Sequence, residues 1–123
     1  MAKIAYIIYS LSNSAGMERS LTTRANFLSN IYDITIITQV SGTDFFKLDP
    51  KIHRIDLGID TSLKKRDFKN ECFRRLSDVL LSLKFDLVVS LGGMELFFLY
   101  KIRDGSKKVI EFRFSYDFHK IIC

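Results

Sequence analysis

Residues Ile4 to Tyr9 form an apolar run without a break. A strand of that kind has no solvent side. It must be buried on both faces, and sheets buried on both faces are built from parallel strands with helices packed above and below. The next residues, Leu11-Ser12-Asn13-Ser14-Ala15-Gly16, are mostly small, and then Met17, Leu21, Ala25, Leu28 and Tyr32 recur at helical spacing. Strand, small turn and helix in that order make a phosphate-sized cradle, because the first helical N–H groups are unpaired and the dipole there favours an anion. The same order opens any doubly wound α/β domain, with or without a ligand, and both readings stand at this point.

The rest of the chain repeats the alternation. Ile34 to Thr38 is a β-branched strand. Val40 to Lys51 is a loop with an exposed-looking Phe45-Phe46 pair, and Ile52 to Leu57 is a short third strand. Phe68, Cys72, Leu76, Val79, Leu80 and Leu83 mark one face of a helix from about Asp67 to Leu83. Leu87 to Leu91 is a fourth strand, Gly92-Gly93 a second tight turn, Met94 to Ile102 a short helix and Val109 to Phe114 a fifth strand. The expected fold is α/β, a Rossmann-like, mainly parallel sheet with helices on both faces. Ligands in such sheets bind at the carboxyl ends of the strands, where the strand order reverses. The two turns share Gly-Met-Glu, at Gly16-Met17-Glu18 and Gly93-Met94-Glu95. Shared helix-start grammar explains this as well as a shared ligand does. Ser14 is placed to cap the first helix, and Glu18 suits its positive end.

Several chemistries are excluded. The first turn has only Gly16 where a dinucleotide fold needs G-x-G-x-x-G, and Gln39 stands where that fold closes its second strand with an acid. There is no P-loop motif and no Cys/His cluster for zinc. His53 and His119 are isolated, and His53 reads as a solvent-side or packed residue. A phosphoacceptor domain needs paired acids after the first strand, where this chain has Tyr9-Ser10. Cys72 lies on the apolar helix face and reads as a buried thiol, with no metal or redox spacing to Cys123. No apolar run approaches the ~20 residues that span a bilayer, and no leader pattern opens the chain, so a cytoplasmic location is expected.

Lys3-Ile4-Ala5-Tyr6-Ile7-Ile8, then Ser14-Ala15-Gly16-Met17-Glu18-Arg19, Leu28-Ser29-Asn30 and Ile34-Thr35-Ile36-Ile37-Thr38, resemble the opening of a family 4 glycosyltransferase. That opening is typically a strand, a Gly-Gly-x-Glu turn, a helix and a Val-Thr-Ile-Ile-Thr-like strand. Leu87-Val88-Val89-Ser90-Leu91-Gly92-Gly93 and Val109-Ile110-Glu111-Phe112 are similar to its later strands. The resemblance implies a GT-B enzyme with two Rossmann-like domains facing across a cleft. Such an enzyme moves a sugar from a nucleotide-sugar with retention, without a bound metal or other cofactor. Residues 1–123 match only the N-terminal, acceptor-side domain. They lack the Glu-x7-Glu signature of the donor domain, which implies a truncated domain, inactive alone.

Carried over residue by residue, Gly16 matches the turn glycine that approaches the donor diphosphate, with Ala15 in place of a second glycine. Gly92 and Gly93 match the turn facing the cleft. Arg113 stands where the family often has a histidine, and an arginine there pairs with phosphate but is no base at neutral pH. Ser14, Ala15, Gly16, Gly92, Gly93, Glu95 and Arg113 are thus the candidate substrate- and phosphate-binding residues, and no catalytic residue is assigned. The competing expectation is a non-catalytic α/β interaction module.

The formal net charge of +5 favours anionic partners. Lys64, Lys65, Arg66, Lys69, Arg74 and Arg75 crowd a short span, with Lys64, Lys65, Arg66 and Lys69 as the candidate membrane-facing residues. They read either as a solvated helix face or as a docking surface for an anionic inner membrane leaflet, with Phe45 and Phe46 as its apolar anchor. The chain has no aromatic platform motif or helix-turn-helix for nucleic acid. The expected partners are a nucleotide-sugar, a glycan or lipid-linked acceptor and, peripherally, a membrane surface.

Overall fold

The computed structural model describes residues 1–12 and 16–111. Its elements are β1 (Lys3–Ile8), α1 (Gly16–Leu28), β2 (Asp33–Thr38), β3 (His53–Asp56), α2 (Lys65–Leu83), β4 (Leu87–Ser90) and β5 (Lys107–Ile110). The five strands form one sheet in the order β3-β2-β1-β4-β5, and every pairing is parallel. The expected α/β class and parallel sheet are borne out.

β1 sits at the centre. Ile7 pairs with Ile37 of β2 on one side and with Ser90 of β4 on the other. Chain order runs outward from β1 to β3 and then crosses to β4, so the switch point lies between β1 and β4.

The unbroken apolar run of β1 divides between two cores. Ala5 and Ile7 face the α2 side, packed with Cys72, Leu76, Leu80 and Val88. Ile4, Tyr6 and Ile8 face the α1 side with Leu21, Ala25, Ile34 and Ile36. The alternation is the period of two that any strand imposes, and the two helices cover opposite faces.

Element boundaries differ from the sequence expectation at several places. α1 stops at Leu28 rather than near Tyr32. There the Ser29 hydroxyl donates to the Asn26 carbonyl at 2.7 Å and the Asn30 amide to the Phe27 carbonyl at 3.2 Å, competing with continued helix. α2 starts two residues earlier than expected and ends on Lys84, which adopts φ 54°, ψ 71°.

β5 begins at Lys107 rather than Val109. As a strand bordering only β4, it can carry lysines, so its apolar pattern understates its length. The expected Phe112 to Phe114 end of that strand lies outside the described residues.

The helix expected from Met94 to Ile102 is instead two 3₁₀ turns, Met94–Phe97 and Leu99–Lys101. Phe98 leaves helical geometry at φ −143°, ψ −5°. With that break, Phe98, Leu99 and Ile102 all enter the α2-side core.

Candidate functional site at the carboxyl edge of the sheet

The loops leaving β1, β2 and β4 share one rim because those strands are adjacent and parallel. Backbone bonds continue the sheet into the loops. Gln39 N–H donates to the carbonyls of Ile8 and Tyr9 at 3.2 and 3.1 Å, and Leu91 N–H donates to Ile7 at 3.0 Å. The Ser10 and Ser12 hydroxyls lie 2.7 Å apart. A Cβ added to Gly42 would stand 2.9 Å from the Ser12 Cβ, so the loops after β1 and β2 touch at close range.

Gly16 and the Gly92–Gly93 turn both lie on this rim, one on each side of the switch point. Around Gly16 a Cβ would meet nothing within 4 Å, so its environment is open. Gly92 has φ 85°, the left-handed region that glycine enters freely. Gly93 is extended, but a Cβ there would stand 2.7 Å from Glu95 Oε1 and 3.1 Å from Gln39 Nε2. Gly93 is therefore demanded by close packing and Gly92 by backbone conformation.

Glu95, a candidate binding residue from sequence, is fully buried. Its Oε2 accepts from the Ser90 hydroxyl at 2.7 Å, and its Oε1 accepts from the Gln39 amide. Ser90 Oγ also accepts from Gly92 N–H at 3.3 Å. Glu95 thus braces the turn from beneath instead of presenting its carboxyl at the surface. Burial raises its pKa, and the Ser90 and Gln39 donors only partly oppose this. Gln39 Oε1 is buried without a hydrogen-bond partner among the described atoms. Sequence reasoning missed Gln39 and Ser90 as site residues. Gln39 figured there only as an absent acid, and nothing local in the sequence links positions 39, 90 and 95.

Ser14, Ala15 and Arg113 lie outside the described residues, and so does the proposed Ser14 cap. Glu111, just beyond β5, accepts from Arg24 Nη1 of α1 at 2.8 Å, and the Arg24 guanidinium lies 5.3 Å from the Tyr6 ring centre. Cys72 is buried as expected, and desolvation, reinforced by the charge of Glu95, pushes its thiol up to about 12. His53 is on the solvent side, with Nε2 at 3.2 Å from Asp33 Oδ1.

The basic residues separate into two groups. Arg74 and Arg75 are paired with Glu71 at 2.7 and 2.9 Å, and Arg75 also donates to the Leu57 carbonyl at 2.6 Å. Lys64, Lys65 and Arg66 are exposed at the start of α2. That end of α2 adjoins the rim, since Phe68 stacks on Tyr9 at 6.3 Å. Lys69 Nζ lies 5.1 Å from the centre of the Phe97 ring. Phe45 and Phe46 contact each other edge to face at 5.0 Å, and Phe45 is exposed.

A hollow of about 680 Å³ under the 42–50 loop borders β3, and of its lining cations, Lys47 and Arg54, Arg54 is already held by both oxygens of Asp44 at 2.9 Å. Among the described residues, no group of three or more His, Cys, Asp or Glu side chains could hold a metal ion. No helix among them is long and apolar enough to cross a membrane.

No family model matches the chain. Over 93 residues it is 34% identical to a curated protein of Campylobacter jejuni subsp. jejuni serotype O:2. That protein is named as an alpha-1,4-N-acetyl-D-galactosaminyltransferase acting on GalNAc-alpha-(1->4)-GalNAc-alpha-(1->3)-diNAcBac-PP-undecaprenol. The match covers 73% of this chain and 26% of the relative, so the chain spans about a quarter of that protein's length. The α/β domain with its glycine-lined rim is thus related in sequence to a glycosyltransferase.

Proposed function

We propose that residues 1–123 form the N-terminal, acceptor-side domain of a retaining GT-B glycosyltransferase of family 4. In this reading the enzyme moves a sugar from a nucleotide-sugar to a glycan or lipid-linked acceptor in surface polysaccharide synthesis, at the cytoplasmic face of a membrane. The observation that carries the reading is the meeting of the Gly16 and Gly92–Gly93 turns on one rim, on either side of the switch point. The sequence relationship to an enzyme whose named substrate is linked to PP-undecaprenol supports both the transfer chemistry and the lipid-linked acceptor.

In this mechanism an acceptor hydroxyl attacks the anomeric carbon. The bond to the nucleotide diphosphate breaks, and the hydroxyl proton passes to an oxygen of the departing diphosphate, whose developing charge no metal compensates in this reading. Unpaired backbone N–H groups where α1 begins at Gly16 would stabilise that developing negative charge. The glycines allow the diphosphate to approach the backbone, and Glu95 holds the second turn rigid through Ser90 and Gln39. In this reading a second domain, not contained in residues 1–123, holds most of the nucleotide-sugar and leaves the diphosphate to this rim, so the domain alone is expected to be inactive.

Titrating the ¹⁵N-labelled chain with uridine diphosphate tests the site. The amides of Gly16, Gly92 and Gly93 are expected to shift together. Shifts confined to other parts of the chain, or none at saturating nucleotide, overturn the reading. Sugar transfer by purified residues 1–123 alone overturns the division of labour.

A further inference from the structure

The first turn of α2 is built against its own helix. Lys64 occupies the cap position and provides no side-chain cap, and Lys65 and Arg66 follow at the positive end of the dipole, where only Asp67 is favourably placed. Exposed aromatic residues lie beside this basic end. Phe97 is 58% and Tyr100 72% exposed, while Phe73 of α2 is exposed and in ring contact with buried Phe98 at 5.1 Å. Lys69 lies over Phe97 at 5.1 Å and Lys101 over Tyr100 at 5.8 Å. Segments 64–69 and 97–103 together carry Lys64, Lys65, Arg66, Lys69, Lys101 and Arg103 against a single acid, Asp67.

We infer that this face, formed by the start of α2 and the two 3₁₀ turns, docks on an anionic lipid bilayer. Phe97 and Tyr100 enter the interface, and the lysines pair with headgroups. Rings at headgroup depth with cations beside them are the pattern by which protein surfaces engage such membranes. A nucleic acid is the poorer occupant. Bases need free ring faces to stack on, and here a lysine already covers one face of Phe97 and of Tyr100. The docking face adjoins the rim through the Tyr9–Phe68 stack, so the bilayer would lie beside the candidate site.

The inference stands apart from sugar transfer, because lipid binding needs neither nucleotide nor sugar, and failure of one leaves the other intact. The chain contains no tryptophan, so Phe97→Trp introduces a single fluorescent reporter. Mixed with vesicles of phosphatidylcholine and phosphatidylglycerol carrying brominated acyl chains, Phe97→Trp is expected to be quenched. Phe45→Trp, an equally exposed site on the other loop, is expected to stay bright. Vesicles of phosphatidylcholine alone should quench neither. Each near-surface cation contributes ~1 kcal/mol, so Lys65→Gln with Lys69→Gln should weaken vesicle binding about 30-fold. Phe97→Ser with Tyr100→Ser should weaken it by about tenfold or more at unchanged charge. Quenching at position 45 equal to that at 97, binding indifferent to phosphatidylglycerol, or retention by single-stranded nucleic acid without vesicle binding would each overturn the proposal.

Discussion

Gln39 and Glu95 stand 56 residues apart in the chain and are hydrogen-bonded across the carboxyl edge of the sheet, where the Ser90 hydroxyl completes the coordination of the carboxyl. The contact joins the end of β2 to the turn after β4 over the top of β1. It is a side-chain link between the two halves that flank the switch point at this rim.

Glu95 makes stability depend on pH in an unusual direction. Its pKa is raised in the fold by burial, so between the ordinary carboxyl value and the raised one the native state binds more protons than the unfolded chain. The resulting stability is fully present below the ordinary value and is lost as pH rises through the raised one. Denaturant midpoints measured across that interval should fall with pH for the native sequence relative to Glu95→Gln, whose side chain cannot ionise. Parallel profiles for the two proteins would contradict this.

The rim glycines should separate cleanly by substitution. Gly93→Ala drives a methyl against a carboxyl held at both oxygens, and overpacking of that kind costs about 1–3 kcal/mol. Gly16→Ala meets open space and should change stability by no more than ~0.5 kcal/mol, while weakening uridine diphosphate binding. Urea melts of both variants give the comparison.

Lys84 closes α2 in the left-handed region at φ 54°. Glycine adopts that conformation without the Cβ clash, so Lys84→Gly is expected to stabilise the domain by about 1 kcal/mol. Thermal denaturation reads this directly, and a lowered melting temperature would refute it.

Two α2 residues report on the core. Leu76 is fully buried between the helix and the sheet, and Leu76→Ala should cost about 2–5 kcal/mol. In a Cys123→Ser background, the Cys72 thiol, pushed up to about 12, should resist a disulfide reagent in the native state and react at the rate of unfolding. Rapid native labelling would show that the α2 core opens locally.

The strands that set the topology were legible in the sequence because burial on both faces leaves an unmistakable apolar run, as in β1, β2 and β4. β5 was misjudged at its start because an outer strand tolerates Lys107 and Lys108. The segment after Gly93 read as helix since Met94, Leu96, Phe97 and Leu99 suit one. Its two 3₁₀ turns follow from tertiary demand on Phe98, Leu99 and Ile102, which no local pattern encodes. Gly92 and Gly93 were legible as a turn. The brace beneath them was not, because Gln39, Ser90 and Glu95 become neighbours only once the strand order is known. The same holds for Phe97 beside Lys69.

The central position of β1 has a consequence for synthesis. Its β2 side finds a partner soon after α1 is made, but its other side waits until Leu87–Ser90 has been translated. Over that interval a nascent chain carries a bare, apolar strand flank of the kind that chaperones hold and that neighbouring chains capture. Ribosome stalling anywhere between Asp56 and Leu87 therefore leaves the polypeptide at its stickiest.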